Sequence, residues 1–219
     1  TTYTVPTVNL TGSTYNLNKT SNASNWNHSG GTLAGSGAVT VASGKTYAWT
    51  GGTMSGGATT TVASGGTLTI NSGAVGIQRT ITNNGTISWV AGQLQMSNGT
   101  INNNATFTAQ PNNNISNFGG TNAFNNNAAG TFTRNTGTGQ LDMNIPFTNT
   151  GTLTVSTGEM RINGGGSSTG PIDATSTILT FTNSYSVTAG TFTVGTLNLQ
   201  GGTIATSAKR PSATPRVEP

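Results

Sequence analysis

A short threonine-led strand recurs along this chain at a nearly constant interval, and this repeat limits the possible folds more than any other feature. The residue before each recurrence gives eight markers: Lys45 (KTYAW), Gly66 (GTLTI), Gly85 (GTISW), Ala105 (ATFTA), Gly130 (GTFTR), Gly151 (GTLTV), Ser176 (STILT) and Gly195 (GTLNL). The intervals are 21, 19, 20, 25, 21, 25 and 19 residues. A near-constant period with strand-like content indicates supersecondary units stacked one on the next.

Within these strands, apolar and polar residues alternate with the period of two that a β-strand requires. The third and fifth positions are mostly large and apolar, and we expect them to form the core: Tyr47, Trp49, Leu68, Ile70, Ile87, Trp89, Phe107, Phe132, Leu153, Val155, Leu197 and Leu199. The second and fourth positions form a threonine column, the candidate outward face: Thr67, Thr69, Thr86, Thr106, Thr108, Thr131, Thr133, Thr152 and Thr154.

Each unit also holds further strand-like segments. A second strand follows a Gly-containing bend, as in AGQLQM (91–96), and a third closes several units, as in RTITNN (79–84). Three short strands in one period leave too little chain for the hairpins of a sandwich, but they fit one turn of a parallel β-helix. We therefore predict an all-β, single-stranded parallel β-helix (solenoid) of about eight coils, roughly 40 Å long at the usual strand spacing. The alternative is a β-sandwich of the pilin or adhesin type.

Two further patterns support a coil with sharp corners. The string VASG occurs at 41–44 and again at 62–65, and it is predicted to end one coil and start the next. Asparagines cluster just before the marker strands, at 83–84, 102–104, 125–127 and 149. Asparagine tolerates the left-handed conformation, and stacked amides hydrogen-bond from coil to coil. We predict a turn ladder of asparagines rather than a sugar- or metal-binding site.

Charged residues are scarce in this chain. Its 219 residues include 8 Lys or Arg and 4 Asp or Glu, and the net charge of +4 is too thinly spread for the basic stripe of a nucleic-acid-binding protein. The chain has no cysteine, which excludes disulfides and thiolate metal sites. No run approaches the roughly 20 apolar residues of a membrane helix. We expect no nucleic-acid partner, no membrane insertion and no cofactor.

The two ends differ from the repeat. We predict an N-terminal strand and cap over 1–30, the β-helix over 31–206, and a Pro-rich charged tail or docking arm over 207–219. A β-helix leaves an unpaired strand edge at each end, which must be covered or used. The candidate assembly contacts are therefore Thr2, Tyr3, Val5, Lys209, Arg210 and Arg216.

The carboxylates are too few for the clustered acids of an enzymatic β-helix. Asp142 and Glu159 lie on second strands one coil apart, and both are predicted to point outward with Arg134 and Arg161 as neighbours. This pattern is typical of a surface charge pair. We predict that the protein is not an enzyme and that it has no catalytic, cofactor-binding or metal-binding residues.

Two residues outside the repeat, His28 and Trp26, are candidates for other roles. His28 has no cysteine and few acids near it in sequence, so neither a metal site nor a catalytic triad is supported, and it is predicted to be structural or solvent-facing. Trp26 is predicted to be the exposed aromatic, because Trp49 and Trp89 fall in the inward register.

The repeats over 31–206 resemble a known group of proteins. Strings such as WTGGTMSGG (49–57), TNNGTISW (82–89) and IPFTNTGTLTV (145–155) are similar to the Gly/Thr/Asn repeats of large secreted bacterial β-helical surface proteins of the haemagglutinin or autotransporter-adhesin type. The resemblance implies a β-helical fold and an extracellular or cell-surface location, and it brings no catalytic residues with it.

The expected function is a non-enzymatic extracellular structural role, as a subunit of a polymeric surface filament or a segment of an adhesin stalk. The expected partner is a second copy of the chain, joined head to tail, or a longer surface protein, and host or environmental glycans are further candidates. One alternative is an ice-binding β-solenoid that uses its outward Thr-x-Thr face. A polysaccharide-binding or polysaccharide-cleaving β-helix is a third hypothesis.

Overall fold

The computed structural model describes residues 5–21, 23–201 and 204–206, and in this part of the chain every regular element is a β-strand. The strands are β1 Thr7–Asn16, β2 Asn25–Ala34, β3 Val39–Val41, β4 Thr46–Met54, β5 Thr59–Val62, β6 Thr67–Ile77, β7 Thr80–Asn83, β8 Thr86–Met96, β9 Thr100–Asn103, β10 Thr106–Ala109, β11 Asn114–Asn117, β12 Ala123–Asn126, β13 Thr131–Arg134, β14 Gln140–Met143, β15 Phe147–Asn149, β16 Thr152–Val155, β17 Glu159–Ile162, β18 Gly166–Ser168, β19 Ile172–Phe181, β20 Tyr185–Val187, β21 Phe192–Leu199 and β22 Ile204–Thr206.

All pairings among these strands are parallel, which confirms the predicted all-β solenoid and excludes the sandwich for the described residues. A nine-stranded sheet contains β3, β5, β7, β9, β12, β15, β18, β20 and β22 in this order, and a 13-stranded sheet contains the others. Each strand lies on the equivalent strand of the next coil, so the backbone hydrogen bonds run along the axis.

The solenoid has three faces because the larger sheet bends around a corner. We call the segments before this corner the first face; they begin at residues 7, 25, 46, 67, 86, 106, 131, 152, 172 and 192. The segments after it, which end at residues 16, 34, 54, 77, 96, 117, 143, 162, 181 and 199, form the second face. The nine-stranded sheet forms the third face. Ten first-face segments make about ten coils, roughly 45 Å at the usual strand spacing, close to the eight predicted.

The two extra coils lie before the first sequence marker. β1 and β2 carry no threonine-led signature, yet they pair in register with each other and with β4, through Asn25 on Thr46 and Trp26 on Tyr47. Residues 7–34 therefore continue the same sheet. The predicted domain boundaries after residues 30 and 206 stay predictions.

Two of the eight markers are assigned to the wrong face by the sequence. Ser176 and Gly195 precede second-face segments, because Leu179 pairs with Leu197 there, whereas Leu153, Ile172 and Phe192 continue the first face. The coils in this region are therefore 19 and 20 residues long rather than 25 and 19. The reason is physical: both faces alternate with period two, so a strand pattern alone does not tell one from the other.

Inward side chains stack in columns along the axis and form one continuous core. The column that starts at Tyr47 continues through Leu68, Ile87, Phe107, Phe132 and Leu153, all buried. The rings of Phe107 and Phe132 stack with their centroids 5.2 Å apart. Parallel in-register pairing places like residues on like residues, so each coil covers the apolar surface of the one before.

The VASG corners have the predicted role. Gly44 and Gly65 adopt φ of 70° and 76°, a left-handed conformation that favours glycine. The Gly44 amide donates to the Gly65 carbonyl at 2.8 Å, so the two corners stack directly. A Cβ added at Gly66, just after the second corner, would collide with the Val41 carbonyl oxygen of the coil before. The repeat in the sequence therefore reflects a repeated tight corner.

Candidate functional site

The first face carries all nine predicted threonines on its outer side. Across five successive coils the outward positions are occupied by the pairs 67/69, 86/88, 106/108, 131/133 and 152/154, in continuous register. Nine of these ten residues are threonine, and Ser88 is the tenth. Thr106 is exposed and the other eight threonines are half-buried, as expected for short side chains packed side by side on a flat sheet.

The spacing of this array follows from strand geometry. Hydroxyls in one column repeat about every 4.8 Å along the axis, and the two columns lie roughly 6.7 Å apart. Within the described part of the chain, none of the nine hydroxyls donates or accepts a side-chain hydrogen bond, so all of them face solvent with free hydrogen-bonding capacity. The array ends at Ala48 on one side and at the exposed Asp173 on the other.

The third face has a second polar array that the sequence reasoning did not single out. Its outward positions run in register through Thr61, Thr82, Asn102, Asn125 and Thr148. Here the amides bond to one another, because Asn125 Nδ2 donates to Asn102 Oδ1 at 2.9 Å. The alternation that places these residues outward is visible in the segments RTITNN (79–84), GTINNN (99–104) and IPFTNT (145–150).

A ladder of buried asparagine amides lies beneath the third face, as predicted from the asparagine clusters. Asn83, Asn103, Asn126 and Asn149 are fully buried, and each donates from Nδ2 to the Oδ1 of the next at 2.7 Å. The ladder ends on Ser168 Oγ at 2.9 Å. Each amide also donates its second hydrogen to a backbone carbonyl, those of Thr106, Thr131, Thr152 and Pro171 in turn.

Every amide hydrogen in this ladder is donated within the protein, so none is left for a ligand. A second ladder outside it joins Asn127 Nδ2 to Asn104 Oδ1 and Asn104 Nδ2 to Asn84 Oδ1, at 2.6 and 2.8 Å. The asparagine clusters therefore stabilise the corner between the third and first faces.

The outward charged residues Asp142, Glu159 and Arg161 form a group on the second face. Asp142 pairs in register with Arg161, and Glu159 lies one coil further along, as predicted. Arg161 Nε is 3.8 Å from Glu159 Oε1, and Arg161 Nη2 donates to Gln200 Oε1 at 2.8 Å. Asp142 Oδ1 accepts from Gln140 Nε2 at 2.6 Å. Such half-exposed pairs contribute little to stability.

Arg134 does not belong to this group, so the prediction that it neighbours the carboxylates is wrong. Its side chain is fully buried at the corner between the first and second faces. The guanidinium donates to the carbonyls of Pro111, Gly137, Gly139 and Thr157 and to Asn112 Oδ1, at 2.7 to 3.2 Å. Burial lowers the pKa of Arg134. The corner loops supply enough oxygen acceptors to hold an inward cation without a carboxylate.

Arg79 is a second buried guanidinium, at the corner between the second and third faces. Its Nε donates to the Ser55 carbonyl at 2.7 Å, and burial lowers its pKa. Sequence reasoning missed both arginines as corner residues, because a cation at an inward position carries no pattern of its own.

His28 and Trp26 both lie in the core. Trp26 is 1% exposed and stacks on Tyr47 with ring centroids 5.5 Å apart, so the prediction that it is exposed is wrong. His28 is structural rather than solvent-facing: its ring stacks on Trp49, and burial lowers its pKa. Because the Gly31 carbonyl only accepts, Nε2 is the protonated nitrogen, and Nδ1 accepts from the Tyr47 hydroxyl at 3.0 Å. The sequence hid both residues because β2 lacks the threonine marker.

The ends of the described solenoid expose strand edges. β1 pairs only with β2, and β21 pairs only with β19, among the described strands. Leu197 and Leu199 point along the core columns of the last coil and are 38% and 49% exposed. Of the candidate assembly residues, Val5 is half-buried against the core, and its carbonyl accepts from the Ser24 amide at 3.1 Å. Thr2, Tyr3, Lys209, Arg210 and Arg216 lie outside the described residues.

Among residues 5–21, 23–201 and 204–206, no group of three or more His, Asp or Glu side chains is arranged to hold a metal ion. In the same part of the chain, no helix has the length and apolar character needed to cross a membrane. Comparisons with known protein families, with curated proteins and with solved structures found no match.

Proposed function

We propose that this chain is a non-enzymatic structural protein of a bacterial cell surface, a solenoid subunit that joins other copies head to tail into a filament. The observation that carries the proposal is the pair of open strand edges, with the apolar core columns uncovered at the last coil. The end of a parallel sheet is a ready template for another strand, and contacts between unlike ends generate open filaments.

The first-face core columns match at the two ends. Phe192 and Val194 end the two first-face core columns in which Val8 and Leu10 are the first members. The first coil of a second copy would therefore place apolar side chains on apolar side chains, with backbone donors and acceptors in parallel register. Joining of this kind buries the exposed surface of Leu199 as well.

A surface role is supported by composition and by the style of the repeats. Charge is scarce, so few ion pairs are available for salt or pH to weaken, and the absence of cysteine makes the fold independent of redox conditions. The glycine-, threonine- and asparagine-rich coils resemble those of secreted adhesins. A segment of a longer adhesin stalk is the alternative form of the same structural role, in which the coils continue within one chain.

Sedimentation of end variants tests the filament. Leu199→Lys places a charge on the uncovered core column of the last coil, whereas Asn198→Lys places the same charge on the outer side of the same strand. We expect concentration-dependent association of the parent and of Asn198→Lys, and loss of association in Leu199→Lys. Equal behaviour of all three proteins contradicts end-to-end joining, and a monomeric parent at every concentration favours the stalk segment.

The threonine array favours a second candidate function, ice binding. Nine threonines and one serine lie in register on this face, and the nine threonine hydroxyls make no hydrogen bond to the described residues. A regular array of hydroxyl and methyl groups is suited to order water into an ice-like layer. No charged side chain lies among the outward first-face positions of these five coils.

Thermal hysteresis measurements test this candidate. Lysine substitution at Thr106, Thr131 or Thr152 should abolish hysteresis, because a long charged side chain disrupts the flat array. Gln95→Lys on the second face is the charge-matched control and should leave hysteresis unchanged. Absence of hysteresis in the parent protein refutes ice binding.

A further inference from the structure

We propose that His28 and Tyr47 form an acid-sensitive switch in the N-terminal coils of the described solenoid. Neutral His28 holds the first three coils, β1 to β5, in place, and protonation of His28 opens them while the later coils stay folded. The starting observation is a 3.0 Å hydrogen bond between these two fully buried side chains, which lie on adjacent coils. The opening does not depend on the filament or on ice binding.

The hydrogen bond between His28 and Tyr47 requires a neutral imidazole. Nδ1 of His28 accepts from the Tyr47 hydroxyl, while Nε2 lies 3.4 Å from the Gly31 carbonyl, which only accepts. A second proton on the ring would occupy Nδ1 and turn this acceptor into a donor. Burial raises the pKa of Tyr47, so the hydroxyl retains its own hydrogen. Protonation of His28 therefore forces the hydroxyl hydrogen of Tyr47 to find another acceptor.

The side chains around this pair supply donors rather than acceptors. Arg79, whose positive charge acts on the Tyr47 phenol, has donors only. The Nε1 atoms of Trp26 and Trp49 are buried donors that have no acceptor among the described residues. The ring of Trp49 stacks on His28 with centroids 5.7 Å apart, and the ring of Trp26 stacks on Tyr47. A displaced hydroxyl hydrogen would therefore lie in an aromatic core, where an unpaired polar group is costly.

The elements packed against His28 bring no acid to it. Its neighbours in the sheet are Leu10 of β1 and Trp49 of β4. The titratable side chains of these two strands are the phenols of Tyr15 and Tyr47, and the third-face strands β3 and β5 contain no titratable residue. The charged side chains before position 142 are all basic: Lys19, Lys45 and Arg79.

An imidazolium ion at His28 would be buried without a counter-ion. The first acidic residue of the chain, Asp142, lies four coils beyond Tyr47, roughly 19 Å along the axis at the usual strand spacing. A buried charge without a partner is strongly disfavoured, and burial accordingly lowers the pKa of His28. The closed coils therefore favour neutral His28, whereas the opened coils expose the ring to water and allow it to take up a proton.

The opening stays local because a solenoid is stabilised coil by coil. Each coil contacts only its neighbours, so coils at one end can unfold while the others remain intact. His28 and Tyr47 belong to the second and third coils of the described chain, and Leu68 and Ile70 of the fourth coil become the new end of the core when these coils open. Acid would also withdraw the β1 edge from joining a second copy, a consequence that rests on the proposed filament.

Hydrogen exchange of the whole chain, followed by mass spectrometry between pH 7.5 and 5, tests the switch. Exchange times are scaled for the intrinsic pH dependence of amide exchange, so that protection against exchange is compared. We expect the protection of β2 and β4 to fall below about pH 6.5, the pKa of an ordinary histidine. The fall should reach at most about tenfold per pH unit, because opening takes up one proton. The protection of β13 and β16, in the seventh and eighth coils, should not change.

Two variants separate the switch from other effects of acid. His28→Gln retains an acceptor for the Tyr47 hydroxyl and a donor for the Gly31 carbonyl but does not titrate, so the protection of β2 and β4 should no longer depend on pH. Asn27→His, made in the His28→Gln protein, places a histidine on the exposed side of the same strand. This second change should not restore the pH dependence, because an exposed histidine has the same pKa in the closed and opened forms.

Three exchange results would overturn the proposal: protection of β2 and β4 that does not depend on pH in the parent, an equal loss of protection in β2 and β16, or an unchanged pH dependence in His28→Gln. An NMR titration of His28, the one histidine of the chain, needs no variant. Its ring should be neutral at pH 6.5 in the folded protein, and a ring that takes up its proton at or above this pH also contradicts the switch.

Discussion

Asn126→Ala removes the central amide of the buried ladder, and its effect follows from three hydrogen bonds. Asn126 accepts from Asn103 Nδ2 at 2.7 Å and donates to Asn149 Oδ1 at 2.7 Å and to the Thr152 carbonyl at 2.9 Å. Alanine leaves Asn149 Oδ1 buried without a donor, which costs about 1–3 kcal/mol. Loss of the other two bonds adds roughly 1 kcal/mol each. We expect a total destabilisation of about 3–5 kcal/mol, a large part of the stability of an ordinary domain.

Urea unfolding followed by circular dichroism and tryptophan fluorescence measures this loss. With an m-value of about 2 kcal/mol/M, the midpoint should fall by roughly 2 M. Asn125→Ala is the matched control, because this neighbouring amide is outward and makes one bond, to Asn102 at 2.9 Å; its cost should stay below about 1 kcal/mol. Asn126→Leu retains the side-chain volume and should be as damaging as alanine. The ladder account is refuted if Asn126→Ala and Asn125→Ala unfold at the same urea concentration.

Three further predictions concern the core and its buried polar groups. Burial lowers the pKa of His28, the one histidine of the chain, so the folded state disfavours protonation of this side chain. The contribution of neutral His28 to the free energy of unfolding should be fully present above about pH 6.5, the pKa of an ordinary histidine. Below that pH, the free energy of unfolding should fall by at most about 1.4 kcal/mol per pH unit. Urea midpoints measured between pH 7.5 and 5 give this pH dependence, and His28→Gln should remove it. If the pH dependence persists in the variant, other titratable groups cause it. Leu153→Asp buries a carboxylate in a core column and should cost more than about 4 kcal/mol. Thr152→Asp, one residue earlier and outward, lies beside Thr131 and should unfold like the parent. Comparable midpoints for the two variants would mean that the inward register is wrong. Arg134→Met leaves several corner carbonyls without a donor and should cost about 3 kcal/mol by the same assay, and an unchanged midpoint would show that water replaces the guanidinium.

The parallel solenoid fold could be predicted from the sequence because the same local patterns recur in successive coils. The spacing of threonine-led strands gave the coil length, and alternation gave the inward and outward sides of Tyr47, Leu68 and Phe132. The asparagine clusters predicted the amide ladder. Asparagine tolerates the backbone conformation of a corner, and its amide can hydrogen-bond to the equivalent asparagine of the next coil, so its recurrence in successive coils is informative. Each of these signals is local and is reinforced by its repetition.

The features that could not be predicted from the sequence lack such repetition. β2 has no threonine marker, so the alternation of Trp26 and His28 was not recognised as inward. Arg134 occupies an inward position, but its acceptors come from loops on three coils, at Pro111, Gly139 and Thr157, which no linear pattern brings together. Side chains alternate with a period of two on both the first and the second face. Only the strand pairing in the sheet therefore shows that Leu179 and Leu197 belong to the second face.

Negative-stain electron microscopy across a range of protein concentrations tests the central claim, that the open ends of the solenoid join copies end to end. The account predicts unbranched threads one solenoid wide, which lengthen as concentration rises and shorten to single rods in Leu199→Lys. Particles that remain near the single-solenoid length of roughly 45 Å at every concentration would contradict it.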